Sequence, residues 1–237
     1  ENVGLTGSKL LYMDGSLQDA GGIVWDNGEP SNYGNRLNPW EPQFSYARQV
    51  DYLSGASLMT TKVIWDQVGG FSKCFEPMYF EDTDFSFKVR ELGFKTWFVP
   101  SSIVYHYEGA TSGTDIGQGL KRYQEINQPK FQKKWEIEFK DFGKYGHLPD
   151  IEKDRGNIGR ILFIDSLTPV KSRDAGSYAS LSEIELVQSL GYKVTFMPAN
   201  LAHFGRHTDY LEQSGVEVIV SPFFLTMEKF LEERAAE

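Results

Sequence analysis

The residues EPMYFEDTDFSFKVRELGFKTWFVPSSIVYHYEG, positions 76 to 109, decide how this chain is read. Three carboxylates, Glu81, Asp82 and Asp84, stand where a helix should begin near Phe80, and Gly93 marks its end. At about 100° per residue, Phe85, Val89 and Leu92 share one stripe. Glu81 continues that row one turn earlier, Asp82 lies at its edge and Asp84 points sideways. Such a helix aims two carboxylates towards its packed side. Two accounts fit. Acids in a first turn complement the open N–H groups and the positive end of the helix dipole. Alternatively the pair sits over a cleft, one member an ionised general base and the other orienting it or binding substrate, with desolvation raising a pKa into that range. Beyond the helix, FKTWFVP (94 to 100) reads as a strand closed by Pro100, and SIVYHY (102 to 107) as another. His106 is then either a satisfied imidazole or a metal ligand; a neutral ring suits Mn²⁺ or Zn²⁺, yet one histidine makes no site and no HxH or CxxC spacing occurs.

Upstream, KLLY (9 to 12) and SLQDAGGIVW (16 to 25) flank Asp14-Gly15, a hairpin signal. Residues 26 to 49 are rich in Gly, Pro, Asn and aromatics and read as a long loop, a lid or a wall on the acceptor side. VDYLSGASLMT (50 to 60) reads as a strand interrupted by Ser54-Gly55-Ala56, where a small residue marks a bulge or a close approach. TKVIWDQVGGF gives a short helix, capped by Thr60 or Thr61 and stopped at Gly69-Gly70. From Gln118 to Phe139 the pattern is helical with a break at Pro129. Residues 141 to 159 have a linker's composition. From 160 onward, RILFID, YASLSEIELVQSLG, YKVTFMP, RHTDYLEQSG, VEVIV and LTMEKFLEERAAE alternate strand and helix, the signature of a βαβ series on a parallel sheet.

The bulk properties narrow the function. The chain has 237 residues, 40% hydrophobic and 24% charged, enough for a substantial core. A net charge of -9 argues against a nucleic-acid partner. With the single cysteine Cys74 no internal disulfide forms, which fits a reducing compartment. No apolar run approaches the roughly 18 residues of a membrane span. The first residues show neither an initiator Met nor a signal-peptide layout, and the last stop inside a helical pattern, so the chain reads as part of a longer protein.

The ordered set VDYLSGASLMTTKVIWDQVGGFSKCFEPMYFEDTDFSFKVRELGFKTWFVPSSIVYHYEGATSG closely resembles the C-terminal half of a family-2 glycosyltransferase domain of GT-A fold. SKLLYMDGSLQDAGGIVW also resembles the matching part of bacterial members tied to O-antigen and other surface-polysaccharide assembly, and GLKRYQEINQPKFQKKW the helix that closes the domain. GRILFIDSLTPVKSRDAGSYASLSEIELVQSLGYKVTFMPAN resembles the start of a GT-B, family-4-type glycosyltransferase. The resemblance implies an α/β architecture: a partial GT-A (nucleotide-diphospho-sugar transferase) domain over residues 1 to 140, a linker over 141 to 159, and the first βαβ units of a Rossmann-like GT-B domain over 160 to 237. It implies inverting transfer of a sugar from a nucleotide-sugar donor to the hydroxyl of a saccharide or lipid-linked saccharide acceptor. Asp82 matches the family's catalytic base, with Glu81 beside it shaping the acceptor side. Gly55, Ala56 and Asp84 fall in the substrate pocket, and His106 matches a metal position.

The implied cofactor is Mn²⁺ or Mg²⁺, acting as a Lewis acid on the leaving diphosphate. It is expected only together with an upstream Asp-x-Asp that this chain does not contain. The implied setting is the cytoplasm, at the inner face of the membrane through peripheral association of the parent protein. The fragment alone is expected to be inactive. Missing central strands would leave an open sheet edge, which favours oligomers. The rival reading is a non-catalytic carbohydrate-binding or scaffold module in which Trp25, Tyr33, Trp40 and Tyr46 stack on sugar rings. A dinucleotide-binding Rossmann unit is disfavoured, because no GxGxxG follows the strand at 160 to 165.

Overall fold

The computed structural model describes residues 2–107 and 120–234. The chain divides into two compact units, Glu1–Pro39 with Gln49–Lys153, and Trp40–Arg48 with Asp154–Glu237. The division falls inside the stretch whose composition reads as a linker, and it assigns Trp40–Arg48 of the long aromatic loop to the second unit.

The first unit is organised by Val3–Leu11 (β1). Strand Leu17–Asp19 (β2) returns antiparallel to it through the Asp14-Gly15 turn, pairing Leu10 with Asp19 and Leu11 with Leu17. Asp14 stabilises that turn by accepting from the Ser16 N–H at 2.9 Å. Gly22–Val24 (β3) and Pro30–Asn32 (β4) form a second antiparallel pair. The two-residue strand Arg48–Gln49 (β5) lies where the chain passes between units. Leu58–Thr60 (β6) pairs antiparallel with β1, and Lys95–Tyr105 (β7) runs parallel to β1 along its length. β7 is one strand, not the two expected on either side of Pro100. The register slips between Ser8 and Lys9, so the partner jumps from Val99 to Ile103. This irregularity takes up a proline that cannot donate to the ladder.

Helix Lys62–Val68 (α1) begins at Thr61, whose Oγ1 accepts from the Ile64 N–H at 3.3 Å, and ends at Gly69 in the left-handed region at φ 78°. Helix Glu81–Glu91 (α2) follows a single 3₁₀ turn at Lys73–Phe75. Helix Tyr123–Trp135 (α3) runs through Pro129 without interruption. The expected beginning of that helix at Gln118 lies outside the described residues. Asn127, Phe131 and Trp135, spaced by four, form the buried face of α3. They close an aromatic core around Phe75, Phe80, Phe87 and Phe139, and burying rings of this size is the main stabilising term in such a core. One helical turn, Pro149–Glu152 (α4), completes the unit.

In the second unit Gly159–Asp165 (β8), Tyr192–Pro198 (β9) and Glu217–Val218 (β10) form a parallel sheet in the order β10-β9-β8. Helices Ala175–Ser189 (α5) and Arg206–Gln213 (α6) make the crossovers, and Met227–Arg234 (α7) follows the last strand. The alternation read from sequence is therefore realised as a βαβαβ series. Asp174 caps α5 by accepting from the Ser177 N–H at 2.7 Å. Glu217 is fully buried and is paired with Lys193 and, at 2.6 Å, with Arg234. Asp154 accepts from the Tyr46 hydroxyl at 3.0 Å and lies 3.4 Å from Arg160, so the buried charges of this unit are compensated in place.

Candidate functional site

The acids at 81 and 82 are placed by an unusual turn. Tyr79 and Phe80 both have φ of 72°, left-handed for two successive non-glycine residues. Phe80 is the cap of α2, and no side chain caps that end. The turn swings the chain so that the first residues of α2 enter a cavity of about 520 Å³ within the first unit. Glu81 and Asp82 line it, together with Gly55, Ala56 and His106. These five come from three separate places in the sequence, the loop after Tyr52, the α2 start and the end of β7.

Asp82 is held at both oxygens. Oδ2 accepts from the Gly55 N–H at 2.7 Å, and Oδ1 from the Thr83 N–H at 2.7 Å. Burial pushes this carboxyl above the usual range, and the Gly55 and Thr83 donors pull it partly back. A Cβ built on Gly55 would stand 3.4 Å from Asp82 Oδ2, at ordinary contact distance. Glu81, half-buried beside it, is pushed up to about 7, first by burial and then by the charge of Asp82. Its Oε2 is buried without a hydrogen-bond partner. Two neighbouring carboxyls thus share a poorly solvated corner, which favours a proton on one of them at neutral pH.

His106 stands across the same cavity at the end of β7. Its N–H donates to the Leu11 carbonyl at 2.9 Å, and its Nδ1 lies 2.9 Å from Gln18 Oε1 on β2. The amide oxygen there sets the neutral tautomer with the proton on Nδ1 and leaves the Nε2 lone pair for a ligand. Sequence patterning held no signal for Gln18. Around His106, however, no three His, Cys, Asp or Glu side chains converge among the described residues. One imidazole beside Glu81 and Asp82 does not amount to the donor set of a divalent cation. The convergent set among the described residues is His203, Asp209 and Glu212 in the second unit. There the Gly205 N–H donates to His203 Nδ1 at 3.2 Å, which leaves the ring proton on Nε2, 3.5 Å from Asp209. That arrangement is an exposed imidazole–carboxylate pair at the surface.

Asp84 stands apart from the cavity. It is fully buried, and it is the most enclosed of the three acids. Oδ1 accepts from Lys134 Nζ at 2.5 Å and from Trp135 Nε1 at 2.9 Å, while Oδ2 accepts from Ser72 at 2.6 Å. It ties α2 to α3, and every acceptor site facing its partners is used. The helical-wheel placement fails because α2 is enclosed on nearly all sides: Thr83 through Phe87 are all buried, whereas Leu92 on the expected core stripe is 49% exposed.

The aromatic loop offers no stacking platform of the expected kind. Trp25, Tyr33 and Tyr46 are buried, and only Trp40 of the four is exposed. Trp25 Nε1 donates to Ser31 at 2.8 Å, and the Tyr33 hydroxyl donates to Asp150. Among the described residues no helix is long and apolar enough to cross a membrane.

Comparison with known proteins adds a partial likeness. No protein-family model matches the chain. It is 29% identical over 163 residues to an uncharacterized protein, y4gI, of Sinorhizobium fredii, a match covering 66% of this chain and 17% of that protein. It is 32% identical over 89 residues to the N-acetylglucosaminyl-diphospho-decaprenol L-rhamnosyltransferase of Mycobacterium tuberculosis, covering 35% of this chain and 29% of that enzyme, in each of two strains. The chain is a distant partial relative of a glycosyltransferase. It spans less than a third of the length of either relative.

Proposed function

We propose that the first unit is the acceptor-side part of an inverting glycosyltransferase of GT-A type, and that the second begins a GT-B domain. The observation that carries the reading is the Asp82 carboxyl group, inside a cavity of about 520 Å³ with Glu81 and His106, in a chain that shares sequence with a rhamnosyltransferase. The cavity is large enough for a sugar ring. Asp82 is buried enough for its basicity to be raised and is fixed by two backbone donors, which suits a general base. Oδ2 accepts one bond from Gly55 and keeps a lone pair for an incoming proton.

The acceptor hydroxyl gives its proton to Asp82 as its oxygen bonds to the anomeric carbon. The bond from that carbon to the nucleoside diphosphate breaks on the opposite face, and its electron pair leaves with the diphosphate. Glu81, protonated near neutral pH, donates to a hydroxyl of the acceptor. The relative's name describes a saccharide on a diphospho-lipid, and a lipid-linked saccharide is the acceptor class we assign. A divalent cation at His106 would need further ligands from outside the described residues, and no step above passes through it.

The test is release of nucleoside diphosphate by the full-length protein from a panel of nucleotide-sugars, with a diphospholipid-linked saccharide as acceptor. Asp82→Asn is expected to lower kcat by about 10² to 10⁴ with the fold intact. Wild-type turnover by that variant would remove the base assignment. The binding-module reading is opposed by the burial of Trp25, Tyr33 and Tyr46.

A further inference from the structure

Helix α3 carries a polar side chain that the reaction drawn above does not use. Asn127 is fully buried. Its amide nitrogen donates to the carbonyl oxygens of Phe75 at 2.8 Å, Met78 at 2.9 Å and Tyr79 at 3.1 Å. Its Oδ1 accepts from Lys130 Nζ at 2.8 Å, and the same ammonium reaches the Cys74 carbonyl at 2.8 Å. Only one orientation of the amide is chemically sensible, since the reverse would set its oxygen against three carbonyl oxygens and its NH₂ against an ammonium. One side chain therefore gathers the backbone oxygens of Phe75, Met78 and Tyr79, in the segment that leads directly into the left-handed pair Tyr79–Phe80. The next two residues are Glu81 and Asp82.

We infer that Asn127 is a positioning residue: by clamping the 75–79 backbone it holds the left-handed turn that aims the Glu81 and Asp82 carboxyl groups into the cavity. Left-handed non-glycine residues persist only where their surroundings over-determine them. Here the two ends of the turn are fixed by different means. The Phe80 ring is locked by packing 5.3 Å from the Phe131 ring, one helical turn beyond Asn127. The preceding carbonyls, with no side-chain cap on α2 to fix them, are fixed by Asn127. Loss of the amide leaves three carbonyls without their shared donor in a buried place, and relaxation of the turn rotates the acids. The effect on turnover rests on the transferase reading; the effect on the turn does not.

The experiment therefore has two arms on the full-length protein. In the first, the Glu81 carboxyl is titrated by ¹³C NMR in the wild type, Asn127→Ala and Lys130→Met, with Leu5→Ala in β1 as a control for general loss of stability. The Glu81 midpoint is expected to fall from about 7 by at least about half a unit towards the ordinary range in Asn127→Ala. Lys130→Met, which removes the partner of the amide oxygen and the donor to the Cys74 carbonyl but leaves the amide itself, should move it less in the same direction and keeps the test alive should Asn127→Ala not fold. An unchanged midpoint in Asn127→Ala, or in Lys130→Met where Asn127→Ala cannot be studied, overturns the inference. So does an equal movement in Leu5→Ala. In the second arm, Asn127→Ala is expected to lower kcat about 10- to 100-fold with KM for the nucleotide-sugar unchanged. A shifted midpoint with no transfer by the wild type would leave the positioning of the acids established and remove the transferase reading instead.

Discussion

Replacing Glu81 by Gln should make the protein more stable at pH 8 than the wild type, and the gain should disappear in acid. The sign follows from the direction of the shift. Glu81 is raised from 4.5 to about 7 in the folded chain, by burial and by Asp82. Folding therefore disfavours its charged form. Below about 4.5 the group is protonated in both folded and unfolded chains and contributes nothing to the difference. Between about 4.5 and 7 the unfolded chain ionises while the folded one holds its proton, and stability falls; above about 7 the loss is complete. A shift of that size corresponds to about 3 kcal/mol. Solvent reaches the outer part of this half-buried side chain, which reduces the expected value to about 1 to 2 kcal/mol. For a domain of this size that is about 2 to 8 °C in Tm. Four of the five tryptophans belong to the first unit, so melting followed by tryptophan fluorescence reports mainly on the unit that matters. The difference between Glu81→Gln and wild type, measured from pH 4 to pH 8, cancels the titration of every other group to first order. A difference that stays constant over that range, or one that grows in acid, would refute the claim that Glu81 is held in a poorly solvated corner without a cationic partner.

Three further outcomes are expected. Asp82→Asn removes the second cause of the Glu81 shift, so the Glu81 midpoint should fall in a carboxyl NMR titration; an unchanged midpoint would mean that the two acids do not sense each other. Asp84→Ala deletes a fully buried carboxylate that serves Lys134, Trp135 and Ser72, and should cost about 3 kcal/mol in urea unfolding, whereas a loss below about 1 kcal/mol would contradict its assignment as the tie between α2 and α3. Gly55→Ala should fold normally and retain transfer, because its Cβ meets Asp82 at ordinary contact distance, while the larger Gly55→Val should lower transfer by at least about tenfold through displacement of the base; equal activity in both would show that the approach to Asp82 is not tight.

Much of the local structure was legible because single residues carry it. Thr61 and Gly69 mark the ends of α1, Asp14-Gly15 turns β1 into β2, and the alternation after residue 160 gives a parallel sheet. The placement of Glu81 and Asp82 at a helix start was legible for the same reason. What escaped depends on contacts distant in sequence. Pro129 lies inside α3 because the buried face made by Asn127, Phe131 and Trp135 outweighs one missing N–H. Pro100 lies inside β7 because a slip in pairing with β1 makes room for it. Asp84 reads as a sideways acid and, by resemblance, a pocket residue until α3 supplies Lys134 and Trp135, and neither is predictable as its partner from spacing. Asn127 and Gln18 carry no patterning signal, since an isolated amide in a helix or strand looks the same whether or not it grips a backbone 52 residues away or an imidazole 88 residues away.

The parallel pairing of β1 with β7 has a consequence for how the protein is made. Partners in that ladder, from Val3 with Lys95 to Leu11 with Tyr105, lie roughly ninety residues apart. At a ribosome's pace of about 5 to 20 residues per second, the first strand emerges and waits on the order of 5 to 20 s before its neighbour exists. Among the described residues, the short hairpin with β2 and the later arrival of β6 are what pair with it before then. Nascent chains halted before Tyr105 should accordingly recruit chaperones, and those halted well after it should release them.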